Sequence, residues 1–197
     1  MSKRQRILLH GKNIIQGMQS VVFGTIDTNT QRESLLIETQ RGVFRELHKR
    51  FLERAHRGEK GLASALDALD SMWSSIRTLS PGAPFLVETL GKASQKDHLR
   101  LQLQDFYLES TRLLEDGIRA VFSDQLHQLS IPPERMAKLI RILLEGLLIE
   151  LAHAQNEHDL AQVDQAYADM RQLFAQFVLK NEEDPVLESA ENLVLPW

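Results

Sequence analysis

The sequence contains no cysteine, and it has few prolines, glycines and aromatic residues: 6 Pro, 10 Gly and 6% Phe, Trp and Tyr in 197 residues. The absence of cysteine excludes disulfide bonds, thiolate zinc sites, iron–sulfur clusters and a cysteine nucleophile. No apolar run approaches the roughly 18 residues that a membrane-spanning helix needs. The basic start of the chain is followed only by the short apolar run 7–9, which is too short for a signal peptide. We therefore expect a cytoplasmic protein.

Each end of the chain also lacks charges of one sign, although the overall net charge is only -4. Residues 1–12 contain no acidic side chain, and residues 181–197 contain no basic one. The plain interpretation is that both ends are solvated and keep the protein soluble. Contact of the basic arm with phosphates, or attraction between the arm and the acidic tail, is the alternative. The basic residues of the arm are Lys3, Arg4, Arg6 and Lys12.

Apolar residues recur at helical spacing through most of the chain, and the few glycines and prolines fall between the periodic stretches. Gly58 is a plausible helix end, Ser80-Pro81-Gly82 a break, and Ser130 a cap before the prolines that open the next helix. The pattern predicts an all-α domain over residues 31–180. Its six helices are expected at about 31–55, 61–78, 83–93, 96–129, 132–154 and 157–179.

The stretch 1–30 is ambiguous. A helix fits the spacing of its apolar residues but contains three glycines, whereas 20–26 fits a strand equally well. We therefore divide the chain into a short basic segment, 1–30, the helical domain, 31–180, and an acidic tail, 181–197.

The fifth predicted helix is apolar on nearly every side. If one face is buried in a single small domain, another apolar face stays exposed to solvent. A second copy of the chain would cover it if the last two helices of each copy formed a four-helix bundle. Burial of the helix entirely within one chain is the alternative. The expected dimer interface comprises Met136, Leu139, Leu143, Gly146, Leu147, Leu151, Val163, Tyr167, Met170 and Phe174.

The order and character of these helices resemble the C-terminal domain of the TetR family of transcriptional regulators. Residues 131–148 (IPPERMAKLIRILLEGLL) and 165–174 (QAYADMRQLF) resemble that family's last two helices, and 31–38 (QRESLLIE) resembles the start of the helix that joins its two domains. The resemblance implies dimerisation through the last two helices. It also implies a small apolar ligand between the second, third and fourth helices, in contact with Met72, Trp73, Ile76, Phe85, Phe106, Tyr107 and Phe122.

The helix-turn-helix head of that family is not recognisable here. Gly24-Thr25-Ile26 echoes its motif, but Asp27 stands where a tyrosine is usual, and three helices need roughly 40 residues whereas 30 precede the joining helix. We therefore expect no palindrome-specific DNA binding, and only weak DNA contact through the basic arm.

Catalysis and metal binding have little support. His153 and His158 are five residues apart across a predicted turn, a spacing that does not direct two imidazoles at one ion. No nucleophile elbow, phosphate-binding glycine loop or dinucleotide motif occurs. We expect no enzyme, cofactor or metal. The sequence predicts a homodimeric TetR-like regulator that senses a small apolar ligand. A sensor or interaction protein that acts through a protein partner without binding DNA is the alternative.

Overall fold

The computed structural model describes residues 29–78 and 80–180, with side chains from residue 33 onward. Over these ranges the chain forms six α-helices, joined in two places by short 3-10 turns, and it contains no β-strand. The all-α prediction is confirmed. The basic segment, with Lys3, Arg4, Arg6 and Lys12, and the acidic tail lie outside the described residues. The helices are α1 (Asn29–His56), α2 (Gly61–Thr78), α3 (Ala83–Ala93), α4 (Asp97–Val121), α5 (Pro133–His153) and α6 (Glu157–Phe177).

Residues at or next to the helix ends explain where several of the helices begin or end. After α1, Gly58 has a φ of 90°, in the left-handed region that favours glycine, so its prediction as a helix end is confirmed. Pro84 and Pro133 lie in the first turns of α3 and α5, where the missing N–H costs nothing. At the start of α6 the Asn156 side chain accepts a 3.0 Å hydrogen bond from the Asp159 backbone N–H.

Helix α4 is shorter than the pattern predicted. It ends at Val121 rather than near 129, and the chain continues through a turn and the 3-10 helix Leu126–Gln128. The turn is held by backbone pairing, in which the Ser130 N–H donates to the Val178 carbonyl and the Lys180 N–H to the Gln128 carbonyl. Ser130 does not cap α5 as predicted, since its hydroxyl donates to the carbonyl of Phe177.

The helices pack in pairs around one main core. α1 lies along α4, α5 packs against both α3 and α4, and α6 contacts α2 and α5. The inner face of α5 supplies much of the core through Met136, Ile140, Leu144 and Leu148. Among the described helices none is long and apolar enough to cross a membrane.

Candidate functional site

Two adjoining spaces lie between the helices. The first, the inner cavity, has a volume of about 70 Å³ and is bounded by α1, α2, α3, α4 and α5. The second, the groove, has a volume of about 990 Å³ and lies mainly between α1, α2 and α4. The two spaces adjoin at four shared wall residues, and this shared stretch of wall is called the neck. The neck residues are Phe44, Leu47, Met72 and Ser75.

The walls of the inner cavity are mostly apolar. Phe44 and Phe106 meet edge to face, with ring centroids 5.6 Å apart. The hydroxyls of Ser75, Thr89 and Ser110 also line the cavity, but each donates to a carbonyl of its own helix, at 3.0, 2.9 and 3.2 Å. These hydroxyls satisfy their hydrogen bonds within their own helices, which leaves Gln40 and a charged cluster as the other polar groups of the cavity wall.

The charged cluster lies on α4 and α5 and consists of Tyr107, Arg141 and Glu145. Arg141 and Glu145 are one helical turn apart, and Nη1 of the arginine donates to Glu145 Oε2 at 2.9 Å. The Tyr107 hydroxyl donates to the other carboxylate oxygen, Oε1. The guanidinium carbon lies 4.4 Å from the centroid of the Tyr107 ring, a cation–π distance. The cluster therefore joins α4 to α5 at the cavity wall.

Protonation of the cluster follows from its burial. Burial raises the pKa of Tyr107, and the hydrogen bond to Glu145 raises it further. The phenol consequently stays neutral at pH 7 and acts as a donor to the carboxylate. The charges of Arg141 and Glu145 balance within the cluster.

The groove has an apolar floor and a charged rim. Gly117 of α4 lies at its floor, where a Cβ would come within 2.8 Å of the Phe51 ring, so this glycine permits α1 and α4 to approach closely. His48 lines the groove, and burial lowers its pKa against the opposing charge of Asp116. At the rim, Arg54 pairs with Glu59 and with Asp67.

The structure brings together part of the predicted ligand site. Four of the seven predicted residues line the inner cavity: Met72, Ile76, Phe106 and Tyr107. Phe122 lines the groove instead, and Trp73 and Phe85 line neither space.

Trp73 lines neither space and packs against α6. Its ring stacks on that of Tyr167 in α6, with centroids 4.8 Å apart and planes 10° from parallel. Asp70, which also lines the groove, accepts hydrogen bonds from the Tyr167 hydroxyl and from Arg171. Arg77 forms a two-bond pair with Asp164 of α6. Trp73 therefore anchors α2 to α6 and does not face the cavity.

Sequence reasoning missed Arg141 and Glu145. Oppositely charged residues four apart on a helix usually form a solvated surface pair, so their spacing carries no signal of a cavity. Their neighbours Leu144 and Leu148 mark the buried face of α5. Only the packing of α4 and α3 against that face places the pair at the site.

The predicted interface residues separate into two groups. Met136, Leu147, Leu151, Val163 and Tyr167 are buried within the chain, and Met170 and Phe174 are partly buried against the same core. Leu139, Leu143 and Gly146 lie on the outside of α5. The fifth helix was expected to be apolar on nearly every side, with more of its surface than one chain can bury. In the structure one face of α5 lies in the core, and the other face is exposed and carries apolar residues. The exposed apolar residues of α5 and α6 are Leu139, Ile142, Leu143, Ile149, Leu173 and Phe177.

Comparison with known proteins finds no match: no family model, no curated protein and no solved structure is similar to the chain. Across the described ranges, no group of three or more His, Cys, Asp or Glu side chains is placed to hold a metal ion. His153 and His158 flank a turn that is organised by Asn156 and Asp159, whose side chains accept backbone N–H hydrogen bonds.

Proposed function

We propose that the protein is a homodimeric regulator of the TetR-like kind, in which the adjoining cavity and groove bind a small apolar ligand. The observation that carries the proposal is a mostly apolar cavity among five helices, which adjoins a larger groove and has a charged cluster in its wall. Protein interiors are usually packed without voids much larger than a water molecule. The inner cavity, at about 70 Å³, exceeds the space that one water molecule needs, and this supports a binding role.

The volumes favour a ligand that occupies both spaces. Ligand sites usually measure about 300 to 1,000 Å³, a range that includes the groove but not the inner cavity alone. A ligand of ordinary size that fills the inner cavity must also extend past the neck at Met72 and Ser75 into the groove. The apolar floor of the groove suits the body of such a ligand.

Dimerisation is proposed through the outer faces of α5 and α6. Leu139 and Leu143 are 51% and 48% exposed, and a Cβ at Gly146 would meet nothing within 4 Å. Contiguous exposed apolar surface on a helix pair is typical of an interaction site. A second copy presents the same two helices, and the four together form a bundle related by a two-fold axis.

DNA contact is proposed only through the basic arm, as a weak and sequence-independent interaction. Such binding depends steeply on salt, because each phosphate that is neutralised releases counterions. A mobility-shift assay on random and genomic DNA at two salt concentrations tests this part of the proposal. A complex that persists at high salt on one sequence would contradict it, and no complex at either concentration would favour action through a protein partner.

Ligand binding is tested by a thermal-shift screen of apolar and amphipathic compounds. A ligand that binds only the folded state stabilises it by about 2.7 kcal/mol at a hundredfold excess over Kd, which raises Tm by about 5 to 10 °C for a chain of this size. Ser75→Phe, which fills the neck, should abolish the shift for every hit.

Thr78→Phe is the matched control for this variant. Thr78 is an exposed residue on the same helix and lines neither space, so this variant should keep the full shift. The proposal fails if no compound raises Tm, or if Ser75→Phe and Thr78→Phe respond alike.

A further inference from the structure

His48 is the partly buried polar side chain of the groove that has no partner. The other polar and charged residues of the groove wall are either exposed or engaged in a hydrogen bond or ion pair. Neither ring nitrogen of His48 has a hydrogen-bond partner in the described part of the chain. Both nitrogens keep accessible surface, since neither belongs to the buried side-chain atoms that lack a partner. A ligand in the groove can therefore reach them.

The arginines of the groove rim also have N–H groups beyond those in their ion pairs. These side chains, Arg50, Arg54 and Arg57, are 41%, 31% and 61% exposed. Water can serve their N–H groups while a ligand lies on the groove floor. The rim arginines therefore do not require a partner from the ligand in the way that His48 does.

The surroundings of His48 are apolar. On α1 it lies one turn after Phe44 and one turn before Phe51, and both of these rings line the groove. On α4 the facing residue is Gly117, where a Cβ would lie 4.0 Å from Nδ1 of His48. Glycine contributes no side chain that could cover this nitrogen or bond to it. The imidazole is thus a polar group within an apolar part of the groove wall.

A purely apolar ligand on this wall would leave the imidazole of His48 unsatisfied. In solution water bonds to the ring nitrogens, and a ligand body that covers them displaces that water. Displacement without replacement of the hydrogen bonds costs affinity. A few placed polar groups in an otherwise apolar site usually fix the orientation of its ligand. The groove therefore favours a ligand that brings a polar group to His48.

The electrostatics at His48 disfavour a charged group on the ligand. Burial lowers the pKa of the imidazole, and the charge of Asp116 opposes this effect only in part. A positive charge is thus destabilised at this point, and a ligand ammonium meets the same penalty. A carboxylate would be destabilised by burial and also by repulsion from Asp116. The neutral imidazole has one N–H donor and one acceptor nitrogen, and a hydroxyl group can bond to either.

We propose that the groove binds an uncharged, lipophilic alcohol or phenol, whose hydroxyl group hydrogen-bonds to the imidazole of His48 while its apolar body covers the groove floor. This inference rests on the proposed function, since it names the ligand class of the same site. It concerns the groove and requires no opening into the inner cavity. His48 acts as the residue that determines specificity.

Four probes on one carbon skeleton test the inference with the full chain: 3-phenylpropanol, propylbenzene, 3-phenylpropionate and 3-phenylpropylamine. They carry a hydroxyl, no polar group, a carboxylate and an ammonium group, respectively. Dissociation constants come from thermal-shift titrations of each probe. Both charged probes should bind more weakly than 3-phenylpropanol.

The decisive quantity is the ratio of the dissociation constant of propylbenzene to that of 3-phenylpropanol. Comparing this ratio between the unmodified protein and a variant cancels the different hydration of the two compounds. His48→Leu removes the donor and the acceptor, so the ratio should fall about tenfold, which corresponds to one hydrogen bond. His48→Gln keeps a donor and an acceptor and should retain most of the ratio.

His56→Leu is the matched control. His56 is an exposed histidine on the same helix and lines neither space, so this variant should keep the full ratio. Proton NMR adds a direct readout of contact, because the imidazole C2–H resonance that is lost in a His48 variant identifies His48. This resonance should shift progressively as 3-phenylpropanol is added, whereas the resonance that is lost in His56→Leu should not.

The outcomes separate the inference from the proposed function. An equal ratio in the unmodified protein and in His48→Leu overturns the inference, while binding of either compound still supports the ligand site. Tighter binding of 3-phenylpropionate or 3-phenylpropylamine than of 3-phenylpropanol also overturns it. If none of the four probes binds, the inference and the ligand site both fail. If His48→Leu does not fold, the order of the four affinities and the His48 resonance, assigned with His48→Gln, decide the question.

Discussion

The carboxylate of Glu33 is the most deeply buried charge among the described residues, at 1% exposure. Its two oxygens lie 3.1 Å from Lys92 Nζ and 2.9 Å from Lys96 Nζ, so it ties α1 to the corner between α3 and α4. Burial alone raises the pKa of Glu33, but the hydrogen bonds and charges of Lys96 and Lys92 outweigh it and hold the pKa below its ordinary value of 4.5. The carboxylate is therefore ionised at neutral pH and stabilises the fold.

Glu33→Gln should lower the free energy of unfolding by about 2 kcal/mol at pH 7, less than for a fully buried pair because both lysines are partly exposed. Since the folded pKa lies below 4.5, the stabilisation is complete above that pH and disappears as pH falls through the folded pKa. The difference between variant and parent in urea unfolding should therefore narrow in acid. Glu38→Gln is the control, because Glu38 is an exposed residue in its ion pair with Arg41. Equal stability of the Glu33→Gln variant and the parent protein at pH 7 would refute the prediction.

His48 should make the protein less stable in mild acid. Burial lowers its pKa below 6.5, and the charge of Asp116 only partly opposes this effect. The unfolded chain binds the proton more readily, so the stability that neutral His48 confers is present above pH 6.5 and is lost as pH falls through the folded pKa. His48→Gln should flatten the dependence of urea-unfolding midpoints on pH between about 7.5 and 5.5. An unchanged slope in the variant would count against this account.

At the scale of elements, α2 contacts α6 through one set of side chains and lines the site with another. Trp73 and Arg77 contact α6, whereas Met72, Ser75 and Ile76 line the site. Asp70 bonds to α6 and also lines the groove. The contacts with α6 set the position of the helix. The side chains that line the site are then free to form part of the neck.

Substitutions at the neighbouring residues Trp73 and Met72 should therefore affect different properties, stability in the first case and ligand affinity in the second. Trp73→Phe should cost about 1 to 2 kcal/mol of stability, a fraction of a full tryptophan truncation, and leave ligand affinity within about twofold. Met72→Ala should cost affinity for the same ligand by more than tenfold, because it removes apolar contact at the neck. Chemical unfolding and thermal-shift titration measure the two effects. Loss of ligand affinity in Trp73→Phe alone would show that α2 is oriented differently.

At the scale of the whole molecule, the exposed face of α5 is where a second copy is proposed to dock. Leu143→Glu should convert the dimer to a folded monomer, because the bundle would bury an unpaired carboxylate. Leu108→Glu, at a residue 72% exposed on α4, should leave the dimer intact. Light scattering combined with gel filtration measures the mass of each.

Leu147→Glu gives a different outcome and separates the interface from the core. Leu147 is 8% exposed and packs inside the chain, so this variant should unfold rather than dissociate. A folded monomer for the unmodified protein at micromolar concentration would refute the dimer.

The helical architecture was predictable, and most of the cavity residues were not. Apolar spacing and local signals such as Gly58 and Pro133 predict the ends of five of the six helices to within two residues. The end of α4 was missed because Phe122, Leu126 and Leu129 continue the helical spacing after the chain has turned. The turn depends on pairing with residues 178 and 180, which no local pattern reveals.

What the sequence determined by itself is the set of helices, because the interactions that begin, continue and end a helix lie within a few residues of one another. Only the tertiary structure decided which side of each helix faces the site. Met72 and Trp73 are neighbours with similar apolar character, yet the stacking of Trp73 on Tyr167 turns one to α6 and the other to the cavity. Likewise Arg141 and Glu145 become cavity residues only because α3 and α4 cover the face of α5 that carries them. These choices depend on contacts between residues far apart in the chain, where periodicity carries no information.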